Sequence, residues 1–301
     1  MKGLIDNSSG GLVMDRCSTV VSAAQAYAGS READWRVIDV RFRLLAPDAG
    51  WQMYRAGHVP GAAYLHLEEH LSGPVGAGNG RHPLPEPDLL ADRLARAGVE
   101  NGSQVVVYDD AGGAIAARLW WLMRWLGHDN VAVMNGGYQA WVNAGYPICA
   151  GEAVSSSGSF VPRPQPGMIL ETREIESGGR SDILLIDVRE RDRFLGVSEP
   201  IDSIAGRIPG AVNHCYLDDL DSDRFLRESG DIRSRWQEIL GDRPPDSVAC
   251  MCGSGVTACL SLLAMEVAGL GGARLYAGSW SEWITDCRRP VVTGPGHLSR
   301  G

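Results

Sequence analysis

The chain has 301 residues, of which 44% are hydrophobic and 22% are charged, and its formal net charge is −9. This is the composition of a globular protein with room for about two domains. The acidic balance argues against the basic surface that binds nucleic acid, and no apolar run reaches the length of a membrane span. We therefore expect no nucleic acid and no membrane among its partners.

The N-terminal residues lack a long apolar segment followed by a small-residue cleavage site, so they do not form a secretory signal. We interpret residues 1–18 as a loose N-terminal extension. The chain contains seven cysteines, an odd number without paired spacing, which favours free thiols in a reducing compartment. We therefore expect a cytoplasmic protein.

Short apolar runs alternate with helical stretches along the chain. Runs such as VIDV and VVVY suit buried parallel strands. Helical spacing predicts a helix after Asp88, an amphipathic helix over 115–127 closed by Gly127, and a helix that begins near Val256. This alternation predicts parallel sheets with right-handed crossovers. The predicted fold class is α/β, with two domains that each have a small parallel sheet flanked by helices.

Four segments occur twice in the same order, at offsets between 142 and 149 residues. The pairs are WRVIDVR (35–41) and ILLIDVR (183–189), AGHVPGA (56–62) and AGRIPGA (205–211), QVVVYDD (104–110) and SVACMC (247–252), and NGGYQAWVNAGYP (135–147) and YAGSWSEWITDCRRP (276–290). Such a repeat indicates an internal duplication. We expect domains over 19–150 and 168–294, a Ser-, Gly- and Pro-rich linker over 151–167, and a C-terminal tail over 295–301.

The segment VACMCGSGVTACL (248–260) places Cys252 between a predicted strand and a predicted helix. The small residues Gly253, Ser254 and Gly255 allow the backbone N–H groups to face a common centre, and the helix N-terminus adds a partial positive charge. An anion at that centre would be stabilised. We therefore interpret the thiolate of Cys252 as a candidate nucleophile.

Other interpretations of these cysteines have less support. Cys250 and Cys259 flank the loop on apolar elements, where a free cysteine packs as a small hydrophobic residue. A zinc site would need a second Cys/His pair at zinc spacing, and a thioredoxin-like redox pair would need C-x-x-C. We expect neither a metal nor a cofactor.

Further motifs extend over nearly the whole chain after the N-terminal extension. They are IDVR, GHVPGA and GRIPGA, GRHPLP (80–85), RF-x-G (193–196), CGSGVT (252–257) and GSWSEW (278–283). With these motifs the sequence resembles the two-domain rhodanese-family sulfurtransferases. The resemblance implies tandem rhodanese-like domains, of which only the second is catalytic, since Asp109 stands in the first copy where Cys252 stands in the second.

The resemblance also implies a reaction in two steps. A donor gives a sulfane sulfur to Cys252 and forms a persulfide, and an acceptor such as a thiol, cyanide or thioredoxin then removes the sulfur. The backbone amides of the loop would hold the terminal sulfur. These amides belong to Gly253, Ser254, Gly255, Val256 and Thr257.

Two donors remain open. Within the family, a CG(S/T)GVT loop resembles the 3-mercaptopyruvate enzymes, whereas a basic loop such as CRKGVT resembles the thiosulfate enzymes, so this loop favours 3-mercaptopyruvate. Arg193 matches the arginine that binds the donor carboxylate, and we favour this role over that of a surface arginine on a solvated face. The next arginine is Arg207, and the EPID segment (199–202) resembles bacterial thiosulfate enzymes, which keeps thiosulfate as the alternative.

His82 matches a histidine that, in the 3-mercaptopyruvate enzymes, forms a relay with the loop serine and an acidic residue. Here the serine is Ser254, and the acidic position falls near Glu68. Such a relay would protonate the leaving enolate. The alternative is that His82 is a turn residue before Pro83.

Several other residues are given structural roles. Asp39 and Asp187 each precede an arginine by two residues, which favours an ion pair within each domain. His58 is interpreted as a structural residue. Trp280 and Trp283 could line the cleft, but aromatic residues more often lie in the core.

Two other functions have less support from the sequence. Cysteine phosphatases require C-x5-R, but Ala258 stands at the sixth position after Cys252. A non-catalytic binding or sulfur-carrier module would not need an intact glycine loop around a cysteine.

Overall fold

A computed structural model of the chain describes residues 16–153, 157–176 and 183–295. Most of the predicted N-terminal extension and C-terminal tail, and part of the predicted linker, lie outside the described residues. Within the described ranges, no helix is long and apolar enough to cross a membrane.

The first half of the chain forms a parallel sheet with helices packed against it. Its strands are β1 (Val20–Val21), β2 (Trp35–Asp39), β3 (Ala63–Tyr64), β4 (Gln104–Tyr108) and β5 (Val131–Met134). They are arranged in the order β1-β5-β4-β2-β3, and every pairing is parallel. The helices are α1 (Ala23–Gly29), α2 (Ala49–Ala56), α3 (Pro87–Arg96), α4 (Ala116–Trp125) and α5 (Gly137–Asn143).

The second half repeats this arrangement, as the duplicated segments predict. Its strands are β6 (Leu184–Asp187), β7 (Val212–Asn213), β8 (Val248–Met251) and β9 (Arg274–Leu275). The order β7-β6-β8-β9 repeats β3-β2-β4-β5, and a parallel bridge from Ile169 to Leu275 takes the place of β1. The helices are α6 (Thr172–Glu176), α7 (Arg191–Leu195), α8 (Ser229–Leu240), α9 (Ala258–Val267) and α10 (Ser279–Trp283), with short 3-10 helices at Pro166–Met168, Tyr216–Asp219 and Pro245–Ser247.

The central strands β4 and β8 are buried throughout because both faces of each sheet are covered. Successive side chains of a strand point to opposite faces. In β4, Val105 and Val107 therefore join one hydrophobic cluster and Val106 joins another. In β8, Cys250 and Ala249 are separated in the same way.

One of these clusters continues from one domain into the other through α4 and α9. The helix predicted over 115–127 is confirmed as α4, but the prediction that it is amphipathic is wrong. Almost every residue of α4 is buried, including Arg118, because the face turned away from its own sheet packs against α9. The interface therefore resembles the core of a single domain more than a surface between independent units.

Local details agree with the sequence motifs or correct them. Arg41 pairs with Asp39, and Arg189 pairs with Asp187, which confirms the predicted structural ion pairs. The helix placed after Asp88 begins earlier, at Pro87, since proline at the first helical position needs no N–H partner.

Candidate active site

Cys252 directly follows β8, at the carboxyl end of a central strand. The register aligns Met251 with Asp187 in the second sheet, and Tyr108 with Asp39 in the first. Asp109 and Cys252 therefore occupy matching positions, as predicted. In parallel α/β folds, ligands bind at this edge of the sheet. The residues after Cys252 turn into α9, whose N-terminus points back to the loop.

The loop conformation depends on Gly255. Its φ of +74° is in the left-handed region, which disfavours residues with a side chain. A Cβ atom there would also lie 2.3 Å from the carbonyl oxygen of Ala277. The carbonyl oxygen of Cys252 accepts a hydrogen bond from the Trp280 amide, and the amide of Cys252 donates to Ser279 Oγ. Residues of the GSWSEW motif therefore fix the backbone of the loop at Cys252.

The corresponding loop of the first domain already contains an anion. The Asp109 carboxylate accepts hydrogen bonds from the amides of Ala111, Gly113, Ile115 and Ala116, at 2.7–2.9 Å. A loop of this shape at a helix N-terminus therefore stabilises negative charge. The amides of residues 253–257 in the second domain donate to no acceptor among the described residues.

The first domain contributes the residues that face this loop across the interface. His82 Nδ1 lies 2.7 Å from Ser254 Oγ, and His82 Nε2 lies 3.8 Å from Glu68 Oε1. The three residues predicted as a relay are therefore brought together, although the second distance is longer than a hydrogen bond. His82 is buried, whereas Glu68 is partly exposed.

His82 is neutral at ordinary pH. Burial, together with the positive charges of Arg118 and Arg81, lowers the pKa of His82 to about 3. With Nε2 turned towards Glu68, the consistent tautomer carries its proton on Nε2, and Nδ1 accepts the hydroxyl hydrogen of Ser254. In this arrangement His82 is a hydrogen-bond acceptor and does not act as an imidazolium acid.

This low pKa predicts a pH-dependent contribution of His82 to stability. Between pH 6.5 and 3 the unfolded chain binds a proton at this residue and the folded chain does not, so the free energy of unfolding falls as the pH falls. From pH 7 to pH 5 the loss is about 2 kcal/mol. Denaturant unfolding of His82→Asn should show a correspondingly smaller loss, whereas Ser254→Ala should retain the wild-type loss. Equal losses in His82→Asn and the wild type would contradict the assignment.

Arg118 is a site residue that none of the sequence motifs indicates. Its side chain is fully buried, and its guanidinium donates to the carbonyl oxygens of Gly255 at 3.0 Å and His82 at 3.1 Å. It therefore connects the cysteine loop to the turn that carries His82. The GRHPLP motif does not indicate this contact. Arg118 lies on a helix predicted to be amphipathic, where an arginine is expected on the solvent-exposed face.

Arg193 lies beside the loop, as predicted, but it is not a free surface arginine. It binds Glu199 at 2.7 Å and Asp202 at 2.9 Å. A second arginine, Arg81, binds the other oxygen of Asp202 at 2.6 Å. The EPID segment alone does not indicate these ion pairs, and no motif singles out Arg81, although this residue directly precedes His82.

The other candidate residues have structural roles. Arg207 donates to the carbonyl oxygens of Phe194 and Gly294 and is buried, so it is not a second donor-binding arginine. His58 is buried, with Nδ1 bonded to the Tyr54 carbonyl, as interpreted. The remaining candidates, fully buried in the core, are Trp280, Trp283, Cys250 and Cys259.

Comparisons with known proteins agree with this architecture. The rhodanese-like domain family matches residues 22–144 and 173–286. A probable 3-mercaptopyruvate sulfurtransferase from Pseudomonas aeruginosa is 44% identical over 91% of this chain and 98% of its own length. A putative thiosulfate sulfurtransferase from Mycobacterium tuberculosis is 38% identical over 86% of this chain and 90% of its own. The structure of 3-mercaptopyruvate sulfurtransferase from Leishmania major aligns with a TM-score of 0.79 at 30% identity, covering 91% of this chain and 76% of that one.

Proposed function

Because the chain belongs to the rhodanese family of sulfurtransferases, we propose that it transfers sulfane sulfur from 3-mercaptopyruvate through a persulfide on Cys252. The observation that supports this proposal is that two loops of similar design carry different residues at matching positions. The first-domain loop has Asp109, and the second-domain loop has Cys252. One loop binds a carboxylate with its amides. The other loop has Cys252 at the matching position, just before α9, where its amides can stabilise a thiolate or persulfide in the same way.

In the first step, the Cys252 thiolate attacks the sulfur of the donor thiol. The S–S bond forms, the C–S bond breaks, and the electron pair of the C–S bond passes to the carbon as the enolate of pyruvate. The proton of the donor thiol ends on this enolate, which gives pyruvate and leaves Cys252 as an anionic persulfide. The number of protons and the total charge are unchanged, so no external acid is required.

Ser254 and His82 would stabilise the enolate as it forms. The hydroxyl of Ser254 donates to Nδ1 of His82 at 2.7 Å and can rotate to donate to the donor's carbonyl oxygen instead. A neutral His82 keeps this hydrogen on the serine, and the hydroxyl can also carry the donor proton to the enolate. Glu68 would orient His82 through Nε2. This role suits a carbonyl-containing donor and has no counterpart in thiosulfate.

In the second step, an acceptor thiolate or cyanide removes the terminal sulfur and restores the Cys252 thiolate. A small thiol, cyanide or a thioredoxin-like protein fits this chemistry. We assign the reaction to the cytoplasm because all seven cysteines are free, as expected in a reducing compartment.

The test of this proposal is a comparison of kcat/KM for 3-mercaptopyruvate and thiosulfate with one common acceptor. We expect 3-mercaptopyruvate to be preferred, because the loop offers a hydroxyl for an enolate and no cation of its own. The Ser254→Ala variant should lower the rate with 3-mercaptopyruvate and leave thiosulfate nearly unchanged. A preference of the unmodified protein for thiosulfate would identify the alternative donor and contradict the proposal.

A further inference from the structure

Asp202 joins the two domains at the cysteine loop. Its carboxylate oxygens lie 2.6 Å from Arg81 Nη1 and 2.9 Å from Arg193 Nη2. Arg81 comes from the first domain and Arg193 from α7 of the second. The Asp202 side chain is 4% exposed, so solvent screens these contacts only weakly.

The same two arginines are the side chains that face Gly253 of the loop. A Cβ atom at Gly253 would lie 3.2 Å from Arg81 Nη2 and 3.4 Å from Arg193 Nη2. A donor whose sulfur reaches Cys252 must therefore place its negative charge near these guanidinium groups. Asp202 offsets part of the positive charge that the donor encounters.

Glu199 extends this charge balance around the site. It accepts hydrogen bonds from Arg193 and, at 3.3 Å, from Arg189, which also binds Asp187. Within the described part of the chain, the connected ion pairs contain equal numbers of arginines and carboxylates: Arg81, Arg189, Arg193, Asp187, Glu199 and Asp202. The cluster is therefore neutral before a donor binds.

We infer that Asp202 is a specificity-determining residue that selects monoanionic over dianionic sulfur donors, which is the opposite of the preference implied by the resemblance of its EPID segment to thiosulfate enzymes. The inference rests on the proposed function and concerns the same site. At neutral pH the carboxylate of 3-mercaptopyruvate gives one negative charge, whereas thiosulfate carries two. Each additional donor charge is repelled by Asp202 in a poorly solvated region, where charges a few ångströms apart interact strongly. The second charge of thiosulfate is thus disfavoured.

Thiosulfate is the dianionic donor with which this selectivity can be measured. The Cys252 thiolate attacks the outer sulfur of thiosulfate, the S–S bond of the donor breaks with its electron pair on sulfite, and an anionic persulfide remains on Cys252. The product on the enzyme is the same as with 3-mercaptopyruvate. The two reactions therefore differ only in how the donor binds and in which group leaves.

The experiment measures kcat/KM for both donors in the wild type and in Asp202→Asn, which removes the charge and keeps the shape. We expect the ratio of thiosulfate to 3-mercaptopyruvate use to rise about tenfold or more, mainly through a lower KM for thiosulfate. Asp202→Glu should keep the ratio close to that of the wild type. Asp286→Asn, which removes the same charge at an exposed pair with Arg288, should not change it.

A purely structural role for Asp202 would impair both donors equally and leave the ratio unchanged, and that result would overturn the inference. If Asp202→Asn does not fold, Asp202→Ser removes the same charge and is judged by the same ratio. The mass of Cys252 after donor treatment separates this failure from failure of the proposed function. Persulfide formation with an unchanged ratio overturns only the role of Asp202, whereas absence of persulfide from the wild type overturns both.

Discussion

Replacing Cys252 with serine is expected to abolish sulfur transfer from every donor, with a loss of at least about a thousandfold in kcat. The serine hydroxyl is nearly isosteric with the thiol and fits the same loop, but it cannot form a persulfide. Fold and stability should therefore be preserved while the reaction is lost. Turnover with 3-mercaptopyruvate and with thiosulfate, measured beside a thermal melting curve, checks this expectation.

Two control variants separate Cys252 from the other thiols. Cys259→Ala removes a buried thiol of α9, and Cys287→Ser removes an exposed one. Both variants should retain most of the activity, because neither sulfur occupies the position after β8 that matches Asp109. Burial raises the pKa of Cys259 to about 12, so this thiol is protonated and unreactive. Substantial transfer by Cys252→Ser, or its loss in Cys287→Ser, would contradict the mechanism.

The second large effect is expected for Arg193→Ala, which should lower kcat/KM for the donor roughly ten- to hundredfold. The guanidinium lies beside Gly253 and would bind the donor anion. Its loss should affect the donor step much more than removal of sulfur from a preformed persulfide, since the acceptor step does not need the donor's carboxylate. Single-turnover rates of the two half-reactions provide the measurement.

The control for Arg193 is Arg191→Ala, an exposed arginine on the same short helix, which should leave both half-reactions unchanged. Arg193→Ala also leaves Glu199 and Asp202 with fewer partners, which destabilises a nearly buried carboxylate pair. Arg193→Lys keeps a positive charge and should recover part of the donor rate. An equal loss in both half-reactions would show that Arg193 supports the loop and does not bind the donor.

The cysteine loop was predictable because its determinants are contiguous. A strand, a run of small residues and a helix N-terminus follow one another around Cys252, and local geometry brings their amides together. Because the chain is duplicated, the strand order of one sheet also predicts the strand order of the other. The two sheets differ at one edge, where a single bridge at Ile169 replaces β1. The hydrophobic pattern of the central strands does not determine how an edge strand pairs.

The contacts across the domain interface could not be derived from local patterns. His82 and Ser254 are 172 positions apart, and Arg81 and Asp202 are 121 apart. The resemblance to a known family predicted the first pair but not the second. Periodicity failed for α4 for a related reason. Hydrophobic periodicity assigns a solvent-exposed face to a helix whose outer face is covered by the other domain. The role of Arg118 therefore could not be predicted from the periodicity.

The central claim, a persulfide on Cys252, is tested most directly by mass spectrometry of the protein after brief treatment with 3-mercaptopyruvate in the absence of an acceptor. We expect a gain of about 32 Da, one sulfur atom, on the peptide that contains Cys252, and release of that mass when cyanide is added. Cys252→Ser should gain nothing. A wild-type protein that produces pyruvate without this gain, or that carries the added sulfur on another cysteine, would contradict the account.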